Sequence, residues 1–563
     1  MVKNLIKNGA DLLFRKQTNI LSAASVIAAA FLLARLLGLI KYRLLFSVFS
    51  VKEVGLFLAA FKLPSLVFDV IVMGALTSAF IPVFTSYLAR GREKEANHVA
   101  STVLNLATIT YVFLSVVFIV LTEQLLGVIA PGLSRTEIGV VAPLTRIMIV
   151  GQTLPLLLGN FLTGILQSHK RFLLPALAPV AYNCGIILGI VFLSVPLGLY
   201  GPVGGVVLGA IFFILIQIPL VRRVRFEYEP VIDLAASGVR EIGHLFLPRA
   251  IGLGINQISY LVTFGLSTLF TARGITIFAL AQQLEQLPIG IFAATIAQAA
   301  LPTLSEEREK EDQLSSFKKT FLTSLHQILF LTLPAAAILI VLRIPVVRLV
   351  YGAPNFDWQA TVDTGRTLAF LGLGLVAEAT VNLVIRAFFA LHDSRTPVIL
   401  GSVSVVGNVV LSMFLVAFLH LPIWALGLSM AVTDSLYAAA LLVCLHFKVQ
   451  RFSWQDLIIP AGKMFLAAGI TGVCLYVPMK LLDQLVFDTT RTVPLIMLTG
   501  TATVIGLSVY LFLTWVLDIS ELQSFLALFG KVRKLLFAAE ETVSEVVSEI
   551  NPGVIESPHE EIP

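Results

Sequence analysis

The sequence predicts an all-α, polytopic membrane protein with two six-helix lobes in parallel repeat and two further C-terminal helices. Three observations carry that expectation. Of 563 residues, 57% are hydrophobic and only 13% charged, about half the charge of a soluble chain; mean hydropathy is +0.92. Apolar runs long enough to cross a hydrocarbon core of about 30 Å recur from end to end. Lys and Arg gather in alternate intervals between those runs. A chain of this composition cannot cover itself in water, which excludes a cytosolic enzyme, a nucleic-acid binder and a disordered scaffold.

The elements follow in order. Over residues 1–18, Val2, Leu5, Ile6, Leu13 and Phe14 alternate with lysines at helical spacing, the pattern of a short interfacial helix. It does not read as a cleaved signal, because the apolar stretch after it is too long for one and carries Arg35. Spans fall near 20–48, 55–88, 99–126, 138–167, 173–195 and 199–221, an N-lobe within 19–225. A second set falls near 245–271, 275–303, 320–343, 366–391, 397–419 and 423–447, a C-lobe within 226–447. Two more, near 458–482 and 491–517, complete about fourteen spans and make a unit of 448–517. The intervals Pro196 to Pro202 and His420 to Pro422 fit only tight helical hairpins. From 518 on, an amphipathic segment bearing Lys531, Arg533 and Lys534 leads into an acidic, solvated tail. Cys184, Cys444 and Cys474 lie inside apolar runs with no metal-ligand spacing and read as small core residues.

Lys3, Lys7, Arg15 and Lys16 precede the first span. Arg90, Arg92 and Lys94 follow the second, Lys170 and Arg171 the fourth, and Arg222, Arg223 and Arg225 the sixth. Arg308, Lys310, Lys318 and Lys319 follow the eighth, and Lys448 and Arg451 the twelfth. All fall on one side if the spans alternate; Arg343 and Arg348 are the chief exceptions. The positive-inside rule then puts both termini in the cytoplasm.

An internal repeat is visible. Leu63-Pro64, an apolar helix to Ala79-Phe80-Ile81-Pro82 and the charged run 91–95 match Leu287-Pro288, a helix to Ala300-Leu301-Pro302 and the run 307–311, with Pro82 and Pro302 220 residues apart. Pro175 and Pro397, each preceded by a basic turn, stand 222 apart. Six spans separate equivalent positions, so both halves enter the membrane in the same direction, and such bundles enclose a midplane cavity between them. No Walker sequence and no catalytic acidic or His constellation is present, so transport leads over catalysis.

Ionisable residues inside spans are expensive and point to function. Arg35 lies deep in the first span, with Lys41 and Arg43 toward its outer end. In the second, Lys62 and Asp69 sit two turns apart on nearly one face, beside Pro64. The seventh carries Arg249, Asn256 and Gln257; the eighth carries Gln282, Gln283, Glu285 and Gln286. Glu378, Asn382 and Arg386 recur every four residues in the tenth, a stripe that reads first as a staple between helices. Cations from helices one, two and seven suit an anionic group such as a phosphate.

Several segments resemble the lipid II flippases of the MurJ/MviN type, within the MOP exporter superfamily. They are Ala34-Arg35-Leu36-Leu37-Gly38-Leu39, Phe61-Lys62-Leu63-Pro64, Gly74-Ala75-Leu76-Thr77-Ser78-Ala79-Phe80-Ile81-Pro82, Ala130-Pro131-Gly132-Leu133, Asn256-Gln257-Ile258-Ser259, Leu301-Pro302-Thr303-Leu304-Ser305 and Arg386-Ala387-Phe388-Phe389-Ala390-Leu391-His392-Asp393. The resemblance covers essentially the whole chain. It implies translocation of undecaprenyl-pyrophosphate-linked disaccharide-pentapeptide across a bacterial cytoplasmic membrane, with lipid II and membrane lipids as partners, cations and membrane potential as energy source, and cell-wall synthesis proteins nearby. It also implies a cationic cavity between the lobes and a lipid-tail groove shaped by the last two helices. The family's first arginine falls on Arg35, but its next cavity arginine falls on Lys41, the acid beside it on Tyr42, the second-helix arginine on Phe68 and the eighth-helix arginine on Gln283. Arg43, Lys62 and Arg249 are the candidate substitutes. The expected site is therefore Arg35, Lys41, Arg43, Lys62, Asp69, Arg249, Asn256, Gln257, Gln283 and Glu285, with hinges at Pro64, Gly74, Pro288 and Gly290 and no cofactor. Another lipid-linked oligosaccharide flippase, a cation-coupled exporter and a non-transporting scaffold for cell-wall enzymes are the competing readings.

Overall fold

A computed structural model of the chain describes residues 20–69, 79–308, 313–485, 491–523 and 525–526. The expected interfacial helix over 1–18, the tail from 527 onward, Gly74 and Lys310 lie outside the described residues. The architecture is all-helical. The first half comprises α1 (Ile20–Val48), α2 (Val51–Phe68), α3 (Ile81–Ala89), α4 (Glu93–Val120), α5 (Thr122–Ile129), α6 (Arg135–Ser168), α7 (Leu173–Leu197) and α8 (Tyr200–Arg223). The second comprises α9 (Ser237–Thr268), α10 (Thr271–Glu307), α11 (Gln313–Val341), α12 (Arg343–Tyr351), α13 (Trp358–Ala390), α14 (Arg395–Phe418) and α15 (Trp424–Lys448). Two more follow, α16 (Trp454–Leu485) and α17 (Thr492–Val516). Among the described residues 11 helices are long and apolar enough to cross a membrane. Helices α1 and α9, and the pair α2 and α3, occupy the three remaining predicted places.

Two departures from the expected boundaries have local causes. The third span, expected over 99–126, breaks at Leu121, where Thr122 Oγ1 donates back to Phe118 O at 2.6 Å, a contact that competes with the backbone ladder and bends helices. The tenth begins at Trp358 rather than near 366, because Asp357 caps it: its carboxylate accepts from the Ala360 N–H at 2.8 Å.

The repeat extends to details that composition does not display. α4 and α5 recur as α11 and α12, with starts at Glu93 and Gln313 separated by 220 residues. Lys170 and His392, 222 apart, both take the left-handed conformation, at φ 58° and 56°. Each closes its helix the same way: the Arg171 N–H bonds Leu166 O and the Asp393 N–H bonds Phe388 O, both at 2.9 Å. A wide five-residue turn interrupts α7 at Gly189–Leu193, and another ends α14 at Phe414–Phe418.

With successive spans alternating in direction, the turns at 90, 170, 223 and 448 share one face, which is basic. On the opposite face the halves seal together. Gly55 of α2 lies so close to α10 that an added Cβ would stand 1.8 Å from Ala272 O. Thr276 Oγ1 donates to Val51 O at 2.7 Å, the Asn355 N–H bonds Phe46 O at 3.1 Å, and the Tyr42 and Tyr351 rings meet edge-on at 6.1 Å. Helices α7 and α8 pack through small residues: a Cβ at Gly185 would fall 2.3 Å from Gly209 Cα, the close approach that G-x-x-x-G spacing permits. The appended α16 and α17 dock on α11 and α12, with Leu342, Leu475 and Ala502 buried together and Tyr510 donating to Phe330 O at 3.0 Å.

Candidate functional site

Helices α2 and α9 run antiparallel between the halves, and their polar residues pair in register. Lys62 and Asp69 lie seven residues apart on one face of α2; Phe264 and Gln257 lie seven apart on α9. The Lys62 ammonium sits 5.4 Å from the centre of the Phe264 ring, and Gln257 Nε2 donates to Asp69 Oδ2 at 3.0 Å. Asp69 and Lys62 are also close enough to feel each other's charge. Arg249 and Asn256 ride on the same helix, but their side chains lie outside the described residues.

On α1 the cations take different surroundings. Arg35 is exposed, its guanidinium 5.0 Å over the Phe31 ring, and half-buried Lys41 lies 5.0 Å over Tyr42. Arg43 is engaged elsewhere: Nη1 donates to Leu349 O of α12 at 2.8 Å and Nη2 to Thr492 Oγ1 of α17 at 3.4 Å. It ties the first helix to the second half and to the appended pair.

The second half holds a group of carboxylates. Glu285 of α10 is 3% exposed, and its Oε2 has no partner among the described residues. Glu378 of α13 and Asp434 of α15 lie within electrostatic reach of it. Gln286 Nε2 donates to Glu378 Oε1 at 2.8 Å, which makes Glu378 a staple between α10 and α13. Down the same helix Asn382 Nδ2 donates to Glu378 O at 3.1 Å and Arg386 Nη1 to Asn382 O at 3.4 Å. Gln283 is half-buried on the neighbouring face of α10. Asp434 was not among the expected residues, although it is the one acidic residue of the twelfth span and carried that signal. Among the described residues no three His, Cys, Asp or Glu side chains converge as a metal site.

Of the expected hinges, Pro288 and Gly290 lie at a helix irregularity and Pro64 lies within regular helix. Pro64 is buried inside α2, one turn before Asp69. Pro288 ends the regular turns of α10, and a wide turn follows over Ile289–Ala293; Gly290 lies within it, with open space where a Cβ would point. Such turns leave backbone groups loosely paired, so the helix bends there at low cost.

Two parallel halves, a polar seam between them and membrane-embedded charges define a transporter of the MOP-exporter architecture rather than an enzyme. The family described as "Lipid II flippase MurJ" matches residues 14–494, and the chain belongs to it. The probable lipid II flippase MurJ of Rhizobium meliloti (strain 1021) is 30% identical over 84% of this chain and 88% of its own. That of Treponema pallidum (strain Nichols) is 26% identical over 81% and 86%. Among solved structures, one titled "Lipid II flippase MurJ, inward closed conformation" superposes with a TM-score of 0.70 at 21% identity, over 86% of this chain and 98% of that one. An inward-facing multidrug resistance MATE family transporter of the MOP superfamily superposes at 0.64 and 15% identity, over 74% and 94%. These superpositions speak to the fold.

Proposed function

We propose that this chain translocates lipid II from the inner to the outer leaflet of a bacterial cytoplasmic membrane by alternating access of its two halves, with the basic face cytoplasmic. The observation that carries the reading is the seam between α2 and α9. A half-buried ammonium, a carboxylate and an amide sit there, where the halves must part for a headgroup to pass, and membrane folding alone does not call for them. Arg35, Lys41, Lys62 and Arg249 supply the cations for a pyrophosphate, and Asp69, Asn256, Gln257 and Gln283 the hydrogen bonds for the sugar and peptide. Arg43 supports the site from α1 through its bonds to α12 and α17. The outer sides of α16 and α17, with Val473, Val477, Val493 and Ile496 exposed, offer the surface for the polyprenyl tail. Buried Glu285, whose Oε2 has no partner among the described residues, is the group we assign to a coupling cation or proton.

Replacement of the essential flippase in a depletion strain tests the proposal. Growth and exposure of lipid II at the outer leaflet should be restored by the wild-type chain and not by Arg35→Ala. Restored growth with no lipid II exposed would favour a scaffold for cell-wall enzymes.

A further inference from the structure

Away from the seam, on the basic face, a cleft of about 500 Å³ opens between the start of α11, the turn into α16 and the segment after α17. Lys318 and Lys319 approach from α11 and Arg451 from the turn, three cations around one opening. Ser453 begins α16 and accepts from the Asp456 N–H at 3.3 Å, so the first turn of a 32-residue helix adds its unpaired N–H groups and positive dipole end to the same wall. Asp456 and Glu521 also line the cleft.

A further polar group in the wall is His326. It is 8% exposed and lines the cleft, and its Nε2 has no partner among the described residues. Its Nδ1 lies 3.5 Å from Glu521 Oε1. With Nδ1 facing that carboxylate, Nε2 is the ring nitrogen left without a partner among the described residues. A buried polar atom without a partner costs free energy that a ligand in the cleft could recover. Glu521 is spent on His326 and on the Ser520 hydroxyl, 3.1 Å away, so the free charge of the cleft is positive.

We infer that this cleft binds a phosphoryl group, held by Lys318, Lys319 and Arg451 at the N-terminus of α16, with His326 in its wall. The site lies at headgroup depth, where the source is either an anionic phospholipid or a soluble phosphate ester. It stands apart from the α2–α9 seam and does not depend on the substrate assigned there.

The test uses the full chain in phosphatidylcholine nanodiscs, with inorganic phosphate as one probe and phosphatidylglycerol doped into the nanodisc as the other. Phosphate binding is read by calorimetry and lipid retention by native mass spectrometry. Saturable binding of one phosphate, or retention of one phosphatidylglycerol, should weaken at least tenfold in Lys319→Gln/Arg451→Gln and remain unchanged in Lys94→Gln, an exposed cation elsewhere on the same face. Both replaced side chains are exposed, and an unchanged melting midpoint of the ligand-free variant verifies the fold. Phosphate binding without lipid retention identifies a soluble ligand; lipid retention that excludes phosphate identifies a headgroup. Binding of neither probe, or equal binding by the double variant, overturns the site.

Discussion

Gln257 donates through Nε2 to Asp69 Oδ2 at 3.0 Å, joining α9 to α2 across the boundary between the halves. Two turns away the Lys62 ammonium rests 5.4 Å from the Phe264 ring, so the seam has a polar rung and a cation–aromatic rung at matching heights. Both contacts must open if the halves separate here. A double-mutant cycle on Asp69→Ala and Gln257→Ala should give a coupling of about 0.6–1.7 kcal/mol, the range of interhelical hydrogen bonds in membranes. Asp69→Asn keeps an acceptor but loses the charge beside Lys62. It should preserve protein level and lower transport more than Gln257→Asn, measured as lipid II exposure at equal expression. Equal effects of the two would assign Asp69 a hydrogen-bonding role alone.

Arg35 is the deepest cation of α1, and its exposed guanidinium is free to meet a passing anion. Arg35→Ala should abolish transport at normal membrane levels. Arg35→Lys should restore part of it, because an ammonium cannot reproduce the two-pronged hold of a guanidinium on a phosphate. Loss of the protein from the membrane in both variants would instead mark Arg35 as structural.

The spans were legible because hydrophobic length is a property of composition, and the bilayer sets the ruler. The repeat was legible at Pro82 and Pro302 because proline leaves a mark in the sequence. The wide turns at Gly189–Leu193 and Phe414–Phe418 were not, since adding one residue to a helical turn changes no residue type. The short helices α5 and α12 were hidden for a related reason: each follows a span after a single break and adds to the same apolar run. At the site, Lys62, Asp69 and Gln257 stood out as costly residues, but their pairing depends on the relative height of α2 and α9. Arg43 illustrates the limit: its charge and depth resemble those of Lys41, yet its partners are a carbonyl 306 positions away and the hydroxyl that opens α17.

The turn between α13 and α14 carries a pH-dependent element. Asp393 accepts from the N–H groups of Arg395 and Thr396, each at 3.0 Å, from the Thr396 hydroxyl at 2.7 Å, and from Lys448. Partial burial alone would push its carboxyl up, but the Lys448 ammonium and the Thr396 donors outweigh it and hold the group at about 2, below the ordinary 3.8. A depressed carboxyl stabilises the fold above its unfolded value, and that contribution fades as pH falls from about 4 through 2. Asp393→Asn should therefore lower the melting midpoint of the purified protein at pH 7, and the gap to wild type should narrow between pH 4 and 3. A gap independent of pH would assign the effect to lost hydrogen bonds rather than to charge.

The closure of the opposite face rests on Gly55 against Ala272, and it tests the rocking motion directly. A methyl at Gly55 would stand 1.8 Å from a backbone carbonyl oxygen, which no rotamer change can relieve, so α2 and α10 must move apart. In alternating access, loosening that face favours the state open on it, and the basic face closes in response. Cysteines near Lys52 and Arg273 should crosslink efficiently in the wild-type background and stop transport by holding this face shut. In Gly55→Ala the same pair should crosslink less, and a second pair near Arg90 and Arg308 should crosslink more. The two changes should be reciprocal, because near-rigid halves turning about one axis cannot open both faces together. Oxidation of both pairs at once in protein that still exposes lipid II at the outer leaflet would exclude lobe rocking, and an open groove along which the headgroup slides would take its place.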